Sequence, residues 1–168
     1  EAVHFGLREL CLRVHHLAAL GRHGVALGLD DLAAAGQRGI TINKRAVLEG
    51  LRTVSWEGRL ETIDEAPNVV LDGAHNPAAA DVLARYLTDY AIQHPASRII
   101  FIWGMMRDKD HRGCIAPLLP VISEIILTEA ALARSATVHE LRAALHEWPG
   151  PVLEAILPMD AVTLGRSR

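Results

Sequence analysis

The chain has 168 residues, half of them hydrophobic and 22% charged, with a formal net charge of -3, which suits one α/β domain of ordinary size plus an appendage. Its arginines are scattered among acidic residues without a basic stripe, so nucleic acid is not an expected partner. No apolar run approaches the roughly 20 residues of a spanning helix and no signal-like segment opens the chain, so the expectation is a cytoplasmic protein with no membrane partner.

In chain order, Phe5, Leu7, Leu10, Leu12 and Val14 fit a strand or a helix alike. Gly21 to Ala35 predicts a helix stopped at Gly36 and Gly39, and Asn43 to Leu51 a second, the two forming a helical hairpin. After Val54 strands and helices alternate. Leu60 to Ile63 alternates apolar and polar residues, and Val69 to Leu71 reads as a strand covered on both faces, as in a parallel sheet. Ala79 to Tyr90 is a helix and Ile99 to Trp103 a buried strand. Arg112 to Leu119 starts a helix limited by Pro117 and Pro120. Glu124 to Leu127 is a third buried strand, Val138 to Trp148 an amphipathic helix, and Val152 to Ile156 a last strand. Asp160 to Arg168 reads as a shortened or frayed end. This order predicts a mostly parallel, Rossmann-like sheet flanked by helices.

Cys11 and Cys114 are too few for a disulfide framework and read as small buried thiols. Cys11 with His15, and His111 with Cys114, have spacings that share a helix face. Neither pair comes with the further ligands of a zinc site, so no metal site is expected. Trp103 and Trp148 read as core.

The densest chemistry lies in Asp72-Gly73-Ala74-His75-Asn76-Pro77. A carboxylate ends an apolar run, two small residues leave room for a ligand or another backbone, and two polar side chains precede a proline suited to the first helical turn. Asp72 and Asn76 are both candidates for the helix N-cap. The spelling D-G-A-H-N-P resembles the signature of the C-terminal domain of folylpolyglutamate and dihydrofolate synthases, in the Mur ligase superfamily. Trp56-Glu57-Gly58-Arg59-Leu60-Glu61 is similar to that family's W-P-G-R-L-E, and Gly104-Met105-Met106-Arg107-Asp108-Lys109-Asp110 to its G-M-x-x-D-K-D. Glu57 stands in place of the family proline.

The resemblance implies a Mur ligase C-terminal domain over 55–168, preceded over 1–54 by the helical end of the central ATPase domain. In that helical part the family's G-x-H-Q-x-x-N-A corresponds to Gly21, His23, Gly24, Leu27 and Gly28; Gly24 and Leu27 replace its Gln and nucleotide-holding Asn, and Leu27 has no hydrogen-bonding group. It further implies that Arg59 contacts the nucleotide phosphates, Asp72 the ribose, and His75 the phosphates as the catalytic residue of the turn. Asp108, Lys109 and Arg134 would face the substrate side of the cleft. The implied reaction is ATP-dependent addition of L-glutamate to dihydropteroate or a folate, in a monomer.

The chain itself has only two lysines, Lys44 and Lys109, and neither follows a glycine-rich loop. ATP and Mg2+ would therefore need the phosphate-binding groups of an N-terminal ATPase domain, and the chain alone is expected to be inactive. Another Mur-type amide ligase, or a non-catalytic binding module derived from a ligase, are the alternatives; Glu57, Gly24 and Leu27 favour the second of these.

Overall fold

The computed structural model describes residues 43, 45, 57–145 and 148–168, and the chain divides into two compact units, Glu1–Gly73 and Ala74–Arg168. The expectations for the first 42 residues, most of the helix from Asn43, Trp56 and the boundary at 54/55 lie outside the described residues. Of that helix, Asn43 is exposed and non-helical while Arg45 is exposed and helical.

In the first unit two strands, β1 (Glu61–Glu65) and β2 (Asn68–Leu71), form an antiparallel pair. This corrects the expectation of a parallel strand ending at Asp72. Val69 and Val70 are only half-buried and Leu71 is exposed. A three-residue apolar run fits either pairing; the short connection at Ala66 and Pro67 decides it, because only antiparallel neighbours are joined by so tight a turn. The register shifts between Thr62 and Asp64, leaving Ile63 as a bulge.

The second unit begins with α1 (Pro77–Gln93). Asn76 is its N-cap, accepting from the Ala79 N–H at 2.9 Å, and Pro77 occupies the first turn, where it forfeits no hydrogen bond. Ala79, Ala80, Leu83 and Ala84 are its buried face, and it packs against the short α2 (His111–Ile115).

The strands β3 (Ile100–Trp103), β4 (Glu124–Leu127) and β5 (Val152–Glu154) form a parallel sheet in that order. Ile100 to Trp103 pair in register with Glu124 to Leu127, and Ile125 to Leu127 with Val152 to Glu154. The central strand is buried along its whole length, its apolar run Ile125 to Leu127 preceded by a buried carboxylate, Glu124. Ile115, Leu141 and Ala161 join it in the core.

Several elements differ from their expected bounds: β1 runs to Glu65 rather than Ile63, α2 stops at Ile115 rather than Leu119, and β5 at Glu154 rather than Ile156. The helix from Val138, α3, ends at Ala143 (Val138–Ala143). The chain then tightens into i to i+3 turns, with Leu145 N–H donating to Arg142 O and Trp148 N–H to Leu145 O, ahead of Pro149. Leu141 and Leu145 are buried as expected, but Trp148 is only half-buried, its ring lying against Gly150 where any side chain would collide. The end expected to be frayed is a helix, α4 (Pro158–Arg166), packed on β3 and β4. Its Gly165 lies so close to the sheet that a β-carbon there would sit 3.2 Å from Ile102 Cδ1, and Ala161 is fully buried.

Candidate functional site

The first unit carries the turn formed by Gly58-Arg59-Leu60-Glu61. Gly58 takes a left-handed backbone conformation (φ 65°), as does Leu60 (φ 45°), which is costly for a side chain with a β-carbon and persists only where neighbours enforce it. They do so here through two carboxylates. Glu61 Oε2 accepts from the Gly58 N–H at 2.7 Å, and Asp72 Oδ2 accepts from the Leu60 N–H at 3.0 Å. The two motifs, 12 residues apart, are thus one structure. Asp72 is half-buried and ties the turn to the end of β2, while the helix-capping role belongs to Asn76.

Arg59 is half-buried, and among the described residues no carboxylate pairs with it. Its guanidinium lies over Gly73. A β-carbon at Gly73 would be 3.0 Å from Arg59 Nη1 and 3.3 Å from Gly58 O. The room left by Gly73 is therefore taken by a cation. His75 is exposed and belongs to the second unit.

At the carboxyl edge of the parallel sheet, the loops after β3 and β4 are laced together. Met106 and Ser135 form an antiparallel bridge. The Ala136 N–H donates to Met105 O at 2.8 Å, and the Arg107 N–H to Arg134 O at 2.9 Å. Gly104 lets the β3 strand end approach Thr128, since a β-carbon there would meet Thr128 O at 3.1 Å. Lys109 Nζ lies 3.3 Å from Asp108 Oδ2. The Lys109 hydrogen bond, then the loop backbone, hold the exposed Asp108 carboxyl below the usual carboxylate range, with Arg134 adding to the effect. The two loops hence bring Asp108, Lys109 and Arg134 near one another.

Several neighbours in this edge have structural tasks. Asp110 is exposed and caps α2, accepting from the Gly113 N–H at 2.8 Å. Glu129 accepts from the Val138 N–H at 2.9 Å, and Thr128 donates its hydroxyl to Ile156 O at 3.0 Å. Cys114 is buried, and burial followed by the charge of Asp110 pushes its thiol pKa up, away from thiolate chemistry. Sequence reasoning missed Arg107 and Glu140. The signal for Glu140 was the Thr137-x-x-Glu140 spacing of a capping box, which the structure contains in full.

With this geometry in view, the match over residues 58–163 to the Mur ligase, glutamate ligase domain family is informative, since it spans the tied turn, both laced loops and the parallel sheet. The chain belongs to this family. A dihydrofolate synthase/folylpolyglutamate synthase of Mycobacterium tuberculosis is 36% identical over 106 residues, which are 63% of this chain and 21% of that protein. The crystal structure of Mycobacterium tuberculosis folylpolyglutamate synthase complexed with ADP and AMPPCP matches 79% of this chain and 30% of its own, with 32% identity and a TM-score of 0.67. That of Escherichia coli FolC in complex with DHPP and ADP matches 81% of this chain and 31% of its own, with 26% identity and the same TM-score. The chain spans about a fifth of the length of the first relative and under a third of each solved chain.

In this glutamate ligase domain, no group of three or more His, Cys, Asp or Glu side chains among the described residues converges as a metal site. Among the described residues, too, no helix is long and apolar enough to cross a membrane.

Proposed function

We propose that this chain is the C-terminal, nucleotide- and substrate-closing domain of an ATP-dependent ligase that adds L-glutamate to dihydropteroate or a folate. The observation that carries the reading is the Arg59 guanidinium, held over Gly73 beside the Asp72 tether and matched to no carboxylate among the described residues. A half-buried, permanently charged planar donor with no carboxylate partner among the described residues suits a phosphate group. Membership of a glutamate ligase domain family supports the amino acid, and the nucleotides named for the similar solved chain support ATP.

In the proposed reaction, the terminal phosphoryl group of ATP passes to a substrate carboxylate, giving ADP and an acyl phosphate. The amine of L-glutamate attacks the acyl carbon, loses a proton, and phosphate leaves as the amide bond forms. Arg59 binds the nucleotide phosphates and Asp72 a ribose hydroxyl. His75 touches the phosphates and is the catalytic residue of the turn. Asp108, Lys109 and Arg134 form the substrate side. The domain works by positioning, charge stabilisation and exclusion of water, with no nucleophile of its own. The phosphate loop and the magnesium ligands come from an ATPase domain, and the protein acts as a cytoplasmic monomer.

Calorimetry with ATP tests this reading. The unsubstituted chain should bind ATP weakly, Arg59→Ala and Asp72→Ala should each lower affinity about fivefold or more, as expected for a lost charged hydrogen bond, and the chain alone should turn over no ATP with glutamate and dihydropteroate. Equal, negligible heats for all three would favour a non-catalytic module, and turnover by the chain alone would refute the need for a second domain.

A further inference from the structure

In the pattern that residues 104–110 resemble, positions 106 and 107 are unspecified, yet Arg107 is bonded through both its backbone and its side chain. Its N–H donates to Arg134 O at 2.9 Å. Its Nε donates to the Glu140 carboxylate, at 3.0 Å to Oε1 and 3.3 Å to Oε2. Glu140 is itself fixed, accepting from the Thr137 N–H at 2.7 Å and the Thr137 hydroxyl at 3.1 Å in the capping box of α3.

We infer that Arg107 is a positioning residue: by clamping the loop after β3 to the loop after β4 and to the first turn of α3, it sets the spacing of Asp108 and Lys109 from Arg134. The backbone bridge between Met106 and Ser135 is short and ends at Arg107, so the side-chain clamp is what prevents that end from opening. The Asp108 and Lys109 side chains start directly beyond it. The consequence for catalysis rests on the reading that this loop meets the substrate. The clamp itself does not.

Amide hydrogen exchange of this chain, unsubstituted and as Arg107→Met, Arg107→Lys and Glu140→Gln, reads the clamp directly. Glutamine preserves the capping box, so Glu140→Gln removes the charge partner without unravelling α3. Exposed ion pairs of this type are modest, so exchange at residues 105–109 and 134–136 should rise about two- to fivefold in Arg107→Met and Glu140→Gln, with no further rise when both are combined. Arg107→Lys should recover part of the protection, and the amides of β4 should change by less than about twofold. Unchanged loops, or a uniform rise that includes β4, would overturn the inference. With the domain joined to an ATPase half, Arg107→Met should raise KM for L-glutamate at least threefold while kcat and KM for ATP stay within twofold; an equal loss in all three would reduce Arg107 to a general stabiliser. Absence of glutamate-dependent turnover in the unsubstituted protein would refute the ligase reading, and exchange would still decide the clamp.

Discussion

Gly73 and Arg59 illustrate how a small residue determines where a charge sits. Gly73 has no β-carbon, so the Arg59 guanidinium can lie over its backbone, next to the Leu60 turn that Asp72 holds in place. An alanine there would press first on the end of the flexible Arg59 side chain and, less closely, on the Gly58 carbonyl, so it moves the guanidinium at a modest cost in stability. We therefore expect Gly73→Ala to unfold within about 1 kcal/mol of the unsubstituted chain while losing ATP affinity as Arg59→Ala does; melting and calorimetry check the two halves, and full affinity would sink the idea. Residue types and spacing made Arg59 and Asp72 readable as a pair of candidates. That Asp72 accepts from Leu60, and that Gly73 is filled by Arg59, depends on two segments meeting in space.

The elements owe their ends to local chemistry. Asn76, with Pro77 behind it, starts α1 by satisfying the otherwise orphaned Ala79 N–H. Asn76→Ala should cost about 1 kcal/mol in denaturant unfolding, whereas Asp72→Ala should leave α1 intact because Asp72 does not cap it; equal loss of helix in both would contradict this assignment. Such signals are short-range, so the buried β4 was legible residue by residue and α1 to within three residues at each end. The direction of β2 was not, because three apolar residues suit a parallel or an antiparallel neighbour. The length of α3 was not legible either, since Leu145 and Trp148 continue the helical spacing on turns of a tighter kind.

Across the molecule's second unit, one buried charge ties distant parts of the chain. Glu124, fully buried at the start of β4, pairs with Arg98 and Arg168, both about half-exposed, at 3.0 Å each. The Arg98 contact is a hydrogen bond, and the Arg168 contact to Oε1 is a charge contact without hydrogen-bond alignment. Removing both arginines strands a carboxylate in the core, so Arg98→Ala with Arg168→Ala should cost about 3 kcal/mol, while Glu124→Met, which frees two arginines that water can solvate, should cost less than about 1 kcal/mol. Urea unfolding of the two proteins compares them, and a larger loss in Glu124→Met would overturn this account.

The sequence by itself determined the family and the order of the described elements from β1 to β5, because motif spelling and apolar runs act over a few positions. Only the tertiary structure decided the antiparallel pairing of β2, the occupant of the space at Gly73, the role of Arg107 and the partners of Glu124. Those depend on which segments the folded backbone brings within hydrogen-bond reach, and separation along the chain carries no record of that distance.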